Sequence, residues 1–258
     1  MAFVKSEAAL KRGALQFHEA GTGEPLLYLH SAGGVRLSPA LERLAESYRL
    51  LIPVMPGFDG TERIAGLHSM EGLADLAAEF IDSVVKKPCD VIGHSFGGWL
   101  ATWLAVRHPT KIEQLVLAAP AGFRTEGAGG LPTDPEQLRR AMFAHPENLP
   151  PETRAPAILA QNRAMLSHYH GEHATDTALL GRLGEIEALT LILQGTKDGV
   201  IPVASARLLK ERIPRAHLVY LYDAAHALEI DQPERFTNLV GDFLRRGEAF
   251  IVNSAKAS

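Results

Sequence analysis

Cysteine is almost absent from the sequence, and a long apolar run is missing. Only Cys89 is a cysteine among the 258 residues, so a disulfide within the chain is excluded. Cys89 lies in an apolar stretch, which predicts a small buried side chain and not a reactive thiol. No stretch approaches the roughly 18 apolar residues of a membrane-spanning helix, and charged residues from Lys5 to Arg12 interrupt any apolar signal core. We therefore expect no membrane partner and, by default, a cytoplasmic location.

An excess of positive charge is also missing. The chain has 26 Lys and Arg against 30 Asp and Glu, which gives a formal net charge of −4. Proteins that bind nucleic acids need clustered basic side chains to neutralise phosphates, so we expect no nucleic-acid partner. The length and the hydrophobic content of 46% are enough for one large domain with a real core.

Short apolar runs alternate with amphipathic segments over most of the chain. The segments 3–8 and 14–19 read as an antiparallel hairpin, and later runs have the composition of strands buried on both faces. Helical spacing follows several of these runs. The order predicts an α/β fold with a mostly parallel sheet of about eight strands and helices on both faces. The predicted buried strands are 26–30, 48–54, 89–93, 112–119 and 189–194, and a further strand is predicted over 217–222. The predicted helices are 39–46, 70–86, 96–106, 203–212 and 233–246.

The regular alternation stops between residues 120 and 186. This part is rich in proline and glycine and has three weak helical patterns. It contains too few apolar residues for a core of its own. We interpret residues 121–187 as a helical cap inserted into one α/β domain. Its core then has an N-terminal part, 1–120, and a C-terminal part, 188–258.

The stretch from Gly93 to Gly97 reads Gly-His-Ser-Phe-Gly, between a predicted strand and a predicted helix. A turn this sharp holds the central serine in a strained backbone conformation with its hydroxyl exposed. A plain glycine-rich turn is the alternative, and the flanking strand and helix favour a nucleophile at Ser95.

A serine nucleophile needs a base and a group that orients the base. His226 lies in a loop of small residues after strand 217–222 and is the predicted base. Asp198 follows strand 189–194 and is the predicted orienting acid, with Asp223 and Glu126 as weaker alternatives. Ser95, Asp198 and His226 all fall at the C-terminal ends of predicted strands, where open α/β sheets bind their ligands.

Acyl transfer also requires donors for the oxyanion of the tetrahedral intermediate. The backbone N–H of Phe96, at the start of the helix after the nucleophile, is one expected donor. The other is the N–H of Ala32, in the loop of small residues after His30. A plain glycine turn is the alternative interpretation of that loop.

Together these residues resemble the α/β-hydrolase superfamily over nearly the whole chain. The elbow Gly93–Gly98, the chain order Ser-Asp-His, and the turn Pro56-Gly57-Phe58 carry the resemblance. The chain departs from the usual pattern at Ser31, where the superfamily has glycine and where a hydroxyl donor is added, and at Ala225. The resemblance implies catalysis without a cofactor or metal. A serine nucleophile argues against epoxide hydrolases and haloalkane dehalogenases, which use aspartate at this position.

The cap is expected to set the substrate. Its apolar residues either line a pocket for the substrate or pack the cap onto the core, and the sequence leaves both interpretations open. These residues are Met142, Phe143, Met165, Leu166 and Tyr169. The nearby histidines 168, 170 and 173 lack the carboxylate spacing of a metal site, and we expect them to be solvated.

The sequence therefore predicts a serine hydrolase that acts on a small carboxylic ester or related acyl substrate through an acyl-enzyme. The same triad can serve a carbon–carbon bond hydrolase, an acyltransferase or perhydrolase, or a lyase. Carbon–carbon cleavage is a secondary interpretation, because the tryptophan that follows the catalytic histidine in hydrolases of ring-fission products is replaced here by Ala227. A non-enzymatic binding protein would be expected to lack a member of the triad. The sequence makes no prediction of oligomeric state.

Overall fold

The computed structural model describes residues 2–124, 132, 134–171 and 175–250. In this part of the chain, eight strands form one sheet in the order β1-β2-β4-β3-β5-β6-β7-β8. β2 runs antiparallel to β1 and β4, and the remaining neighbours are parallel. The predicted fold class is confirmed. The strands are β1 (Val4–Leu10), β2 (Gly13–Ala20), β3 (Pro25–Leu29), β4 (Arg49–Pro53), β5 (Cys89–His94), β6 (Ile112–Ala118), β7 (Leu189–Gly195) and β8 (Ala216–Leu221).

The inner strands are apolar along their whole length because helices cover both faces of the sheet. Every residue of β3 and of β7 is buried. The edge strand β1 is mostly exposed, since only one of its faces meets other elements. The α-helices of the described residues are α1 (Pro39–Leu44), α2 (Met70–Phe80), α3 (Phe96–Arg107), α4 (Pro135–Met142), α5 (Pro156–His170), α6 (Thr177–Leu180), α7 (Val203–Arg212), α8 (Leu228–Asp231) and α9 (Pro233–Arg246).

Two hydrophobic layers result, one on each face of the sheet. Helices α2, α3 and α7 form one layer, and α1, α8 and α9 form the other. Helix α3 is buried on all sides up to Val106, as expected of a helix in the centre of an α/β domain. No helix of the described residues is long and apolar enough to cross a membrane.

Two elements differ from the sequence predictions. The helix predicted over 70–86 is α-helical only to Phe80 and continues as a π-helical turn, Ile81–Val85, that ends at the left-handed residue Lys86 (φ 66°). Helix α8 is too short to show helical periodicity and was not predicted. It lies immediately after the loop of His226.

Residues 121–187, called the insertion below, connect β6 to β7 and include α4, α5 and α6. Asp176 connects the C-terminal end of the insertion to helix α3. Its Oδ2 accepts hydrogen bonds from the indole N–H groups of Trp99 (2.8 Å) and Trp103 (2.7 Å) of α3. Its Oδ1 accepts from the N–H of Leu179 and so caps α6.

Candidate active site

Ser95 lies in the sharp turn between β5 and α3. Its backbone angles, φ 56° and ψ −113°, fall in a region that residues other than glycine rarely adopt. Two backbone hydrogen bonds hold the turn: the N–H of Ser95 donates to the carbonyl of Ala118, and the N–H of Ala121 donates to that of Ser95, both at 2.9 Å. A Cβ at Gly97 would lie 1.9 Å from the carbonyl oxygen of Leu29. The close approach of α3 to β3 therefore requires glycine there.

His226 joins Ser95 to Asp198. Its Nε2 lies 2.8 Å from the Oγ of Ser95, and its Nδ1 lies 3.2 Å from Oδ2 of Asp198. The carboxylate can only accept, so Nδ1 carries a proton and donates it to Asp198. In the neutral ring Nε2 is then the acceptor for the serine hydroxyl, as a general base must be. All three side chains are buried.

Asp198 is held as a carboxylate by the loop around it. Oδ1 accepts hydrogen bonds from the N–H groups of Val200 (2.8 Å) and Ile201 (2.9 Å), and Oδ2 also accepts one from the side chain of Gln194 (3.0 Å). Burial alone would raise the pKa of Asp198, but the charge and hydrogen bond of His226 and these N–H donors outweigh it. The pKa of Asp198 is therefore below its ordinary value.

Phe96 and Ala32, the two predicted oxyanion donors, lie at the start of α3 and in the loop that follows β3. Phe96 is the first residue of α3, so its N–H has no partner within the helix. Ala32 lies in the loop 31–35. There the side-chain oxygen of Ser31 accepts from the N–H of Gly33 (3.3 Å).

His30 supports that loop and lies outside the hydrogen-bonded group of Ser95, His226 and Asp198. Its Nε2 accepts a hydrogen bond from the N–H of Met55 (3.0 Å), so Nδ1 is protonated and donates to the carbonyl of Ser31 (2.8 Å). Burial lowers the pKa of His30, which favours the neutral ring that this pattern needs.

The apolar residues predicted for the pocket contact both the core and the neighbouring loops. Tyr169 donates its hydroxyl to the carbonyl of Pro56 (2.7 Å), Met165 is buried, and Leu166 packs partly buried on the core. The guanidinium carbon of Arg36 lies 5.9 Å from the centroid of the Phe143 ring. The carbonyl of Met142 accepts from the N–H of Ala227 (3.0 Å), beside the proposed base.

The remaining candidates lie outside the hydrogen-bonded group of Ser95, His226 and Asp198. The carboxylate of Asp223 pairs with Lys197 and His145, and Glu126 lies outside the described residues. The expectation of solvated histidines was wrong for His168 and His170, which are half-buried and packed on Tyr169 and Trp99; His173 lies outside the described residues. Within the described ranges, no group of three or more His, Cys, Asp or Glu could hold a metal ion.

Three polar residues at the site were missed by the sequence analysis. Gln194 donates a hydrogen bond to Asp198. A polar residue at the end of an apolar strand could have marked it as a site residue in the sequence. Asp231 is buried and accepts hydrogen bonds from the N–H groups of Ala144 (3.0 Å) and Ala225 (2.7 Å) through Oδ2, and of His145 (2.9 Å) through Oδ1. It thereby ties the insertion to the loop of the proposed base. Asn162 of α5 is fully buried, and no signal in the sequence marks it.

A family model described as "Alpha/beta hydrolase family" matches residues 26–239, a span that contains every residue from His30 to His226 discussed above. The chain belongs to this family. Because the matching family and the curated relatives of the chain are hydrolases, this α/β hydrolase is an enzyme.

Among curated relatives, this α/β hydrolase is 32% identical to a 2-hydroxymuconate semialdehyde hydrolase of Pseudomonas sp. (strain CF600), and the match covers 92% of each chain. It is 28% identical to a pimeloyl-[acyl-carrier protein] methyl ester esterase of Aeromonas hydrophila subsp. hydrophila, over 87% of this chain and 96% of the relative. Relatives that match nearly the full length of this chain thus include a semialdehyde hydrolase and a methyl ester esterase.

Solved structures share the fold. A meta-cleavage product hydrolase from Pseudomonas fluorescens IP01 superposes with a TM-score of 0.78 at 24% identity, over 93% of this chain and 97% of the other. Naproxen esterase from Bacillus subtilis superposes with a TM-score of 0.74 at 16% identity, over 94% and 92%. These likenesses concern the fold alone.

Proposed function

We propose that this α/β hydrolase is a serine hydrolase of small carboxylic esters or related acyl compounds, with Ser95 as nucleophile, His226 as base and Asp198 as orienting acid. The observation that carries the proposal is the continuous hydrogen-bonded chain from the Oγ of Ser95 through His226 to Asp198. The substrate is a small molecule, and the reaction needs no cofactor.

The reaction has two acyl-transfer steps. The Oγ of Ser95 attacks the ester carbonyl carbon while Nε2 of His226 takes the hydroxyl proton. Collapse of the tetrahedral intermediate breaks the bond to the alkoxy oxygen, which leaves as the alcohol after receiving that proton. Water then attacks the acyl-enzyme, His226 takes one of its protons, and the acid is released as that proton returns to Ser95.

The backbone N–H groups of Phe96 and Ala32 are the proposed donors to the oxyanion in both steps. The N-terminus of α3 adds the partial positive charge of a helix N-terminus at the same place. Donors of this kind stabilise the transition state because they need no reorganisation when negative charge develops on the oxygen.

The insertion is the proposed cap, residues 121–187, and its residues 142, 143, 165, 166 and 169 are the proposed apolar lining, with Ser31 on the core side. Two contacts favour a cap held close to the catalytic loops. The carbonyl of Ala141 accepts from the N–H of Gly199, next to Asp198, and the carbonyl of Met142 accepts from the N–H of Ala227, next to His226.

Labelling with a fluorophosphonate probe tests the nucleophile. We expect wild type to be labelled, Ser95→Ala to be unlabelled, and Ser47→Ala, which alters an exposed serine of the same chain, to behave as wild type. A panel of p-nitrophenyl esters of increasing chain length should then show turnover that Ser95→Ala abolishes. Absence of labelling in wild type would overturn the triad assignment.

Carbon–carbon bond hydrolysis is the second candidate, and the similarity to a 2-hydroxymuconate semialdehyde hydrolase favours it. In that reaction the nucleophile would attack a carbonyl carbon at one end of the carbon–carbon bond. When that bond breaks, the carbon at its other end would have to take up a proton. The test is disappearance of the absorbance of a 2-hydroxy-6-oxo-dienoate. Labelling at Ser95, with turnover of the dienoate and none of the esters, would move the assignment to this candidate.

A further inference from the structure

Asp59 is the centre of a half-buried polar cluster between the insertion and the core. One carboxylate oxygen, Oδ1, accepts hydrogen bonds from the side chains of Asn162 (2.8 Å) and Arg154 (2.9 Å), both from the insertion. The N–H of Asp59 donates to the Oδ1 of Asn162 (2.8 Å). We call Asp59, Arg154 and Asn162 the Asp59 cluster.

The Asp59 cluster holds the loop 31–35 from both sides of Gly34. The carbonyl of Gly33 accepts from Nδ2 of Asn162 (2.9 Å) and from Nη1 of Arg154 (2.6 Å). On the other side, the N–H of Val35 donates to Oδ2 of Asp59 (2.7 Å). Two residues of the insertion thus bind the loop that contains Ala32.

The fit between the cluster and the loop leaves no room for a side chain. Gly34 has a φ of +84°, and a Cβ there would lie 2.2 Å from Oδ1 of Asp59 and 2.4 Å from Nδ2 of Asn162. Both the backbone conformation and the close approach therefore require glycine. A shift of the cluster would have to move the loop with it.

The other end of the loop is fixed by His30, whose protonated Nδ1 donates to the carbonyl of Ser31. Ala32 therefore lies between a carbonyl held by His30 and a carbonyl held by the Asp59 cluster. An N–H between two fixed neighbours points in one direction, which is what an oxyanion donor needs, since such donors act by being oriented before charge develops.

The cluster satisfies its own polar groups while it holds the loop. Asn162 is fully buried, and both atoms of its amide are hydrogen-bonded. Burial alone would raise the pKa of Asp59, but the hydrogen bonds from Asn162, the N–H of Val35 and Arg154 bring it below the ordinary value. Asp59 is therefore an acceptor throughout the neutral pH range.

We propose that Asn162 and Arg154 are positioning residues that orient the N–H of Ala32 through Asp59 and the Gly33 carbonyl, so that the insertion sets the geometry of the oxyanion site. This inference rests on the proposed function, because it takes Ala32 as an oxyanion donor. It assigns to the insertion a part in the chemical step in addition to its contact with substrate.

A trifluoromethyl ketone tests the proposal whichever bond the enzyme cleaves. The Oγ of Ser95 adds to the ketone carbon, the hydroxyl proton passes to His226, and the carbonyl oxygen becomes the oxyanion of a stable hemiketal. We expect Asn162→Ala to weaken ketone binding by about 10- to 100-fold, less than the loss of a whole oxyanion donor. With the ester, we expect kcat to fall by a similar factor and KM to change by less than about threefold.

The matched control is Gln161→Ala, one residue earlier in α5. Gln161 also donates from the insertion to core carbonyls, those of Gly57 (2.8 Å) and Thr61 (3.3 Å), and neither of these hydrogen bonds reaches the loop 31–35. We expect its ketone affinity and kcat to stay within about threefold of wild type. If Asn162→Ala folds poorly, Arg154→Met removes a second donor to Gly33 from a side chain that is 18% exposed, and we expect about a 10-fold loss of ketone affinity.

The outcomes separate this inference from the proposed function. If both cluster variants bind the ketone as wild type does, or if the Gln161 and Asn162 variants lose affinity equally, the positioning role is overturned while the triad stands. If wild type itself forms no hemiketal, as judged by fluorine NMR, the proposed nucleophile fails and the positioning role fails with it.

Discussion

His94 Nε2 lies 2.9 Å from the carbonyl oxygen of His226. The carbonyl can only accept, so Nε2 of His94 is the donor, and the residue before the nucleophile holds the main chain of the proposed base. The other nitrogen, Nδ1, lies 3.3 Å from Oε1 of Glu229, and both side chains are buried. That contact is attractive only if one proton lies between the ring and the carboxyl group.

Glu229→Gln is therefore expected to keep activity, and Glu229→Leu to lower it. The amide of glutamine can donate to a neutral His94 or accept from a protonated one, whereas leucine leaves Nδ1 buried without a partner. We expect kcat within about threefold of wild type for the first variant and about 10-fold lower for the second, because a misplaced base slows proton transfer. Steady-state kinetics on the best p-nitrophenyl ester, with circular dichroism as the folding control, measures this. Equal kinetics for the two variants would contradict it.

Asp231→Asn is expected to destabilise the protein by about 1–3 kcal/mol, the usual cost of an unsatisfied buried polar group. Asp231 accepts three backbone N–H groups, from Ala144, His145 and Ala225. An amide would turn an NH₂ group toward at least one of them. Urea unfolding at neutral pH provides the measurement.

Asp242→Asn is the matched control for that change. Asp242 also lies in the C-terminal part of the chain, but its side chain is 36% exposed and pairs with Arg245 and Arg246 along α9. Exposed pairs of this kind contribute little, so we expect a change within about 0.5 kcal/mol. A loss at Asp231 no larger than the control would show that its three hydrogen bonds are dispensable.

The sequence could predict the elements that hydrophobic periodicity encodes. β7 is a continuous apolar run and was predicted close to its observed position. α2 repeats its buried residues at helical spacing, so its start was predicted, although its end and the π-helical turn that follows were not. The three proposed catalytic residues could be selected because each follows a strand whose C-terminal end lies at one edge of a parallel sheet.

The polar contacts between distant segments could not be predicted. Asn162 and Asp59 are 103 positions apart, and the apolar pattern of α5 does not show which of its polar residues is buried. The half-buried histidines of α5 were misjudged for the same reason, since their burial depends on how the insertion lies on α3. Such contacts are set by tertiary packing, which local sequence does not record.

Cys89 is expected to be inert in the folded protein. Burial, with the nearby charges of Asp90 and Glu113, raises the pKa of its thiol to about 12, so almost no thiolate is present at pH 8. We expect reaction with Ellman's reagent to be at least about 100-fold slower in the native protein than in urea. Ser47→Cys, at an exposed position, should add one thiol that reacts at the rate of a free cysteine. A native Cys89 that reacts as fast as that one would contradict its burial.

Asp198→Asn is expected to abolish most activity and to change how stability depends on pH. The amide would face Nδ1 of His226 with a donor, which favours the ring form that carries its proton on Nε2, and that form cannot accept the proton of Ser95. We expect kcat to fall by about 10⁴-fold, as in serine hydrolases that lose this carboxylate.

Because the folded pKa of Asp198 is lowered, its contribution to stability is fully present above the unfolded value of about 3.9 and is lost as pH falls through the folded pKa. The difference in unfolding free energy between wild type and Asp198→Asn should therefore be largest at neutral pH and shrink below about pH 4. Urea unfolding of both proteins between pH 7 and pH 3 measures this, and a difference that stays constant over that range would show that the carboxylate is not stabilised in the folded state.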